Sequence, residues 1–266
     1  MYPYIFRTEL FSLTWKNLLI MVGILAAVWL SQRRSAHKGL AYQNMLLDLA
    51  IWLVPAGIIG ARAWEMIFTW EEYVDTPWDR FAIWKGGLSI QGAVLAGLLV
   101  TILFARWRRV RIWELLDIIA PPVILGQAIG RIGSLMNGDA FGRPVSEVPW
   151  WPQWFGLIYH PESPAGQIFG RTPLIPAEGL EMAAGFLILA FLLWYRPRRE
   201  VPGRTVLSYA ILYSVARFLL EFLRADSLLI GGVKVAQLTS LAVILIGSIW
   251  LILRYQQEEG KQTAAG

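Results

Sequence analysis

Four polar residues at helical spacing are the first in this sequence that could do chemistry: Tyr213, Arg217, Glu221 and Arg224, at i, i+4, i+8 and i+11. At about 100° per residue they fall within roughly an 80° sector, so a helix through them presents a phenol, two guanidinium groups and a carboxylate on one stripe. Glu221 can pair with Arg217 one turn away. Two arginines against one carboxylate leave a positive site that wants an anion, and the forked donors of arginine match phosphate. The competing reading is an ion-paired seam that only fixes helix packing.

A second cluster runs from Gly130 through Pro144 and contains Arg131, Ser134, Asn137 and Asp139: a cation, a hydroxyl, an amide and a carboxylate. Gly130, Gly133, Gly138 and Gly142 would let backbone approach a ligand or a neighbouring helix. In a third stretch, Gly86 to Ala93, Gln91 is the strongly polar side chain, and small-residue packing explains the rest equally well. Glu178 and Glu181 follow Pro176 in what reads as a first helical turn, where carboxylates ordinarily just face the helix dipole. Arg62 and Glu65 repeat their i, i+3 spacing in the second span, and Asp48 lies deeper in it. With no cysteine among 266 residues, disulfides, thiolate metal sites and a cysteine nucleophile are excluded, so any thiol must come with the substrate. Two histidines make a histidine-rich metal site improbable, and neither metal nor cofactor is expected.

The elements that position these residues are read from hydropathy. The chain is 56% hydrophobic and 16% charged, with a mean hydropathy of +0.49. Apolar stretches long enough to span a hydrocarbon core occupy residues 13–30, 45–68, 86–105, 115–136, 178–195, 206–223 and 235–253. The fold expected is an all-α integral membrane protein of seven transmembrane helices forming one polytopic domain over residues 1–266. The net charge of +5 would suggest nucleic acid in a soluble chain, but the basic residues sit between apolar runs, and no nucleic-acid partner is expected. They concentrate in residues 32–44, 106–111, 196–204 and the tail beyond 253, which places those loops in the cytoplasm, the N-terminus outside and the C-terminus inside. The first apolar run ends in Gln32, Arg33 and Arg34 and reads as a retained anchor. Residues 138–177, between spans four and five, are rich in proline and hold Trp150, Trp151 and Trp154; they read as an external arm on the outer leaflet. Ionisable groups inside spans need a reason, since each costs about 2.5 to 3.5 kcal/mol at a helix centre.

The segment beginning Gly130-Arg131 resembles the signature of the prolipoprotein diacylglyceryl transferases, G-R-x-G-N-x-x-N-x-E-x-x-G. The Tyr213, Arg217, Glu221, Arg224 stripe resembles that family's Y-x-x-x-R-x-x-x-E-x-x-R segment. Further resemblance lies at Tyr2-Pro3, Gly60 to Arg62, Gly86-Gly87, Pro176 to Glu181 and Pro202-Gly203, so it covers most of the chain.

The resemblance implies transfer of diacylglyceryl from phosphatidylglycerol to the lipobox cysteine of a prelipoprotein, with release of glycerol phosphate, in the bacterial cytoplasmic (inner) membrane among membrane lipids. The catalytic residues implied are Arg131, Arg217, Asp139 and, where the family often has histidine, Gln91. The substrate-binding set is Asn137, Ser134, Gly142, Tyr213, Glu221, Arg224, Glu181 and Lys16. Several positions depart from the pattern. Gln91 cannot act as a base, Ser134 replaces asparagine, Asp139 replaces glutamate, Lys16 stands where tyrosine is common, and Glu178 and Leu180 replace glutamine and tyrosine. Two other readings stay open: a divergent paralog with another acceptor or no activity, and a transporter or scramblase of anionic amphiphiles.

Overall fold

A computed structural model of the chain describes residues 2–7, 12–70, 78, 87, 89–195 and 201–265. Gly86, where the third span was expected to start, lies outside the described residues, as do Leu88 and residues 196–200 of one basic loop.

Seven helices are long and apolar enough to cross a membrane among the described residues. They are α1 (Trp15–Ser35), α2 (Leu40–Phe68), α3 (Ile90–Arg108), α4 (Ile112–Asn137), α6 (Ala177–Trp194), α7 (Arg204–Leu220) and α8 (Val235–Ala265), with the short α5 (Pro164–Phe169) between the fourth and fifth spans. Two small antiparallel hairpins join them: β1 (Tyr4–Arg7) with β2 (Ser12–Thr14), and β3 (Leu229–Ile230) with β4 (Val233–Lys234). The architecture is the all-α, seven-span membrane fold expected from hydropathy. Side chains such as Ile51, Ile59 and Leu187 are exposed on these helices. That outward apolar surface is what lipid requires, because the helices satisfy their own backbone and ask nothing polar of the bilayer.

Helix ends differ from the apolar runs because backbone hydrogen bonding continues past them: α1 carries Gln32, Arg33 and Arg34, and α8 continues beyond Leu253. The opposite correction applies to α7. Its α-helix stops at Leu220, a 3₁₀ turn takes Glu221–Leu223, and Arg224 is extended. The four-residue stripe is therefore not one continuous α-helical face.

The described chain forms two compact units, residues 31–115 and residues 1–30 with 116–266. In the first, α2 and α3 meet at two glycines: a Cβ on Gly92 would stand 2.1 Å from the Gly60 carbonyl oxygen. Only glycine permits that approach. The buried Arg62 donates from Nη1 to the Gly87 carbonyl at 2.9 Å. In the second unit α1 lies against α4 along a seam of the same kind. A Cβ on Gly23 would reach the Gly126 carbonyl oxygen at 2.8 Å, and one on Gly133 would reach the Cα of Lys16 at 2.8 Å. Ile124, Ile188 and Leu192 form the core that joins α4 and α6, with Tyr209, Leu212 and Tyr213 of α7 packed on it.

Residues 138–177 fold as a structured connection. Leu157 pairs with Leu174, and Phe141, Tyr159, Ala165 and Leu174 build a small core. The tryptophans divide. Trp151 is buried, while Trp150 and Trp154 are exposed.

Candidate functional site

The hub of the site is a carboxylate. Glu181, on the second turn of α6, is almost fully buried, and three arginines from other elements converge on it. Arg131 of α4 reaches Oε2 through Nε at 2.9 Å, Arg217 in the last turn of α7 reaches Oε1 at 2.6 Å, and Arg224 reaches the same oxygen at 2.7 Å. Arg217 also pairs through Nη2 with the buried Glu221 at 2.9 Å, as the i, i+4 spacing predicts. Arg224 turns its other terminal nitrogen to Asp226. Burial alone would lower the Arg224 pKa, but Glu181 and Asp226 outweigh it and hold the guanidinium above its usual range.

Arg224 arrives at this hub by backbone pairing. Gly142 bridges to Arg224, the Gly142 N–H donates to the Ile175 carbonyl at 3.1 Å, and the Arg143 N–H donates to the Leu223 carbonyl at 2.8 Å. A side chain at Gly142 would place its Cβ 2.4 Å from the Ile175 oxygen, so glycine is needed for this stitch. Lys234 adds donors from Nζ to the Glu221 and Arg224 carbonyls.

The charge count also differs from the reading of α7 alone. Glu181 and Asp226 join Glu221, so three arginines are paired with three carboxylates, and Lys234, held on the Glu221 and Arg224 carbonyls, adds one further positive charge. Carboxylates brought from other elements are invisible to the stripe. What remains uncommitted is Arg131: among the described residues its ion pair with Glu181 runs through Nε, and its two terminal amino groups make no hydrogen bond to protein. It borders a narrow cleft of about 20 Å³, room for roughly one water, that is also lined by Gln127, Glu181, Gly185, Tyr213 and Arg217. Tyr209 donates to Gln127 at 2.9 Å beside this cleft. Oriented guanidinium donors and a phenol set among apolar walls are the groups that recognise an anionic headgroup at the mouth of such a cleft.

Two comparisons bear on which chemistry this is. The sequence profile of prolipoprotein diacylglyceryl transferase matches residues 3–253. The chain belongs to the prolipoprotein diacylglyceryl transferase family. It is similar to the phosphatidylglycerol–prolipoprotein diacylglyceryl transferase of Thermosynechococcus vestitus, 38% identical over 250 residues covering 92% of this chain and 90% of the relative. The Gloeobacter violaceus protein of the same name is 38% identical over 265 residues, covering 97% and 95%. That of Oceanobacillus iheyensis is 36% identical over 248 residues, covering 91% and 84%.

The family's two motifs thus meet at Glu181. Other expected site residues form a second group. Lys16 pairs with Asp139, and Asn137 donates to the same Oδ2 at 3.3 Å. Ser134 is buried one turn before the end of α4, and its carbonyl accepts the Gly138 N–H at 2.7 Å. Gly133, Gly138 and Gly142 all stand where a Cβ would collide, whereas Gly130 faces open space. Gln91 belongs to the other unit, where it accepts from the Ser89 hydroxyl at 2.7 Å. Glu178, fully buried, accepts from the Tyr159 hydroxyl at 2.7 Å and from the Ala140 N–H at 3.4 Å. Tyr159 and Gln127 went unnoticed in the sequence because neither sits in a motif. The proline-flanked run around Tyr159 was the available hint.

Proposed function

We propose that this chain transfers the diacylglyceryl group of phosphatidylglycerol to the lipobox cysteine thiol of a prelipoprotein and releases glycerol phosphate. The site would face outward in the bacterial cytoplasmic membrane, with the N-terminus outside, the C-terminus cytoplasmic and surrounding lipid supplying the donor. The observation that carries this reading is the cleft where Arg131 offers uncommitted guanidinium donors beside the Glu181 hub.

In the proposed reaction the substrate sulfur attacks the glycerol carbon bearing the phosphate, and negative charge grows on the departing oxygens. Guanidinium groups already oriented by Glu181 and Glu221 meet that charge without the reorganisation water would need. Arg131 and Arg217 hold the phosphate, Glu221 orients Arg217, and Asn137 bonds the headgroup. Tyr213 lines the wall, and Arg224 locks Glu181 in place. Asp139 takes the thiol proton; its Oδ1 is buried without a hydrogen-bond partner among the described residues.

Purified protein incubated with phosphatidylglycerol and a lipobox peptide should release glycerol phosphate, and Arg217→Ala should abolish release while Gln91→Ala retains it. Full activity in Arg217→Ala would refute the anion site. Phosphatidylglycerol binding with no peptide modification would point to a paralog with another acceptor.

A further inference from the structure

The three guanidinium groups at Glu181 are already matched by the carboxylates of Glu181, Glu221 and Asp226. The proposed reaction turns a singly charged phosphodiester into a doubly charged monoester. One new negative charge therefore appears beside arginines that are already paired and a Lys234 that is held on the Glu221 and Arg224 carbonyls. A cation free to move to it would meet that charge directly.

Resting on the transferase reading, we propose that Lys16 is a further catalytic residue: it neutralises Asp139 in the resting enzyme and passes to the departing phosphate as Asp139 takes the thiol proton. The charge balances. The S–H proton moves to Asp139 Oδ1, the sulfur bonds to the glycerol carbon, and the C–O electron pair leaves on the phosphate oxygen. The carboxylate loses one negative charge as the phosphate gains one, and the ammonium follows it.

Three observations support the hand-off. Lys16 Nζ pairs with Asp139 Oδ2, and Asn137 donates to that same oxygen at 3.3 Å, so the carboxyl group stays anchored when the lysine departs. Asp139 Oδ1 is buried with no hydrogen-bond partner among the described residues, which leaves a lone pair for a proton. The lysine side chain is 39% exposed and the aspartate 16%, so the ammonium is the mobile partner. The backbone of Lys16 is fixed meanwhile: a Cβ on Gly133 of α4 would stand 2.8 Å from its Cα. Four methylenes then swing the ammonium from a defined backbone position.

The test uses glycerol phosphate as a ligand of the purified full-length protein in lipid nanodiscs, since Asp139→Asn imitates the protonated carboxyl and frees Lys16. Asp139→Asn should bind glycerol phosphate about fivefold or more tightly than wild type, and Lys16→Met/Asp139→Asn should lose that gain. In the full reaction Lys16→Met should lower kcat by about 10- to 100-fold with KM for phosphatidylglycerol little changed, and Lys16→Arg should restore most of it. Equal binding by wild type and Asp139→Asn, or a gain that survives in the double variant, overturns the proposal. Should Asp139→Asn fail to fold, equal kcat values for Lys16→Met and wild type overturn it on their own. Failure of the transferase reading is separable: wild type would then release no glycerol phosphate, while the binding comparison remains readable.

Discussion

The two ends of α7 both gather charge in an otherwise apolar helix, and they do so differently. At its start, Asp117 accepts the Gly203 N–H at 2.7 Å and the Val206 N–H at 2.9 Å, which caps the helix. Arg204 lies over the Tyr195 ring at 4.6 Å and donates to the Tyr195 carbonyl at 3.1 Å. At its far end, Arg217, Glu221 and Arg224 join Glu181 and Arg131 around a cleft, with donors left over on Arg131. Charge that spends itself on backbone builds structure. Charge that borders a cleft with spare donors is available for a ligand.

The sharpest way to break this contrast is Glu181→Ala, which strands three guanidinium groups in a buried place. Loss of one partner from a buried ionic network costs about 3 to 5 kcal/mol, so we expect a large fall in the thermal midpoint and activity down by at least about 10³-fold. Next comes Arg217→Lys. A single ammonium cannot span Glu181 and Glu221 as the two guanidinium nitrogens do, and peptide modification should slow by about 10- to 100-fold with the fold intact. Asp117→Asn should do the reverse, costing about 1 kcal/mol of stability while kcat stays within about twofold. If Asp117→Asn cut activity as deeply as Arg217→Lys, the distinction between the two ends would fall.

The smallest effect concerns Tyr159. Burial first, then the charge of Glu178 and their hydrogen bond, hold its hydroxyl well above the ordinary tyrosine value of 10.0. The folded pKa is raised, so its contribution is fully present below pH 10 and is lost as pH climbs past 10 toward the higher folded value. The thermal midpoint of wild type should therefore drop more steeply above pH 10 than that of Tyr159→Phe. Parallel alkaline limbs would contradict this.

Much of the architecture was legible in the sequence because a bilayer imposes length and apolarity on each span, and both are local properties. The Arg217–Glu221 pair was legible for the same reason, being one helical turn apart. Arg224 was grouped with Arg217 by a geometry the structure does not keep, since periodicity cannot reveal that a 3₁₀ turn ends the helix and that Gly142 bridges to Arg224. Glu181 looked like one more first-turn carboxylate. Its weight comes from Arg217 and Arg224, which lie 36 and 43 residues away in sequence. Lys16 and Asp139, 123 residues apart, meet only because α1 and α4 touch at Gly133. The three neighbouring tryptophans read as one membrane-facing group, yet Trp151 turns inward, where its Nε1 donates to the Phe155 carbonyl at 2.8 Å. Long-range pairing and the direction of a side chain from a loop are properties of packing that composition and spacing do not carry.

The central claim, that the spare guanidinium donors of Arg131 grip the phosphate of the lipid, is tested most directly by steady-state glycerol phosphate release from Arg131→Ala with phosphatidylglycerol and a lipobox peptide. We predict a kcat/KM at least about 10³-fold below wild type in a protein whose thermal midpoint shows it folded. Release within a few-fold of wild type from that folded variant would contradict the account.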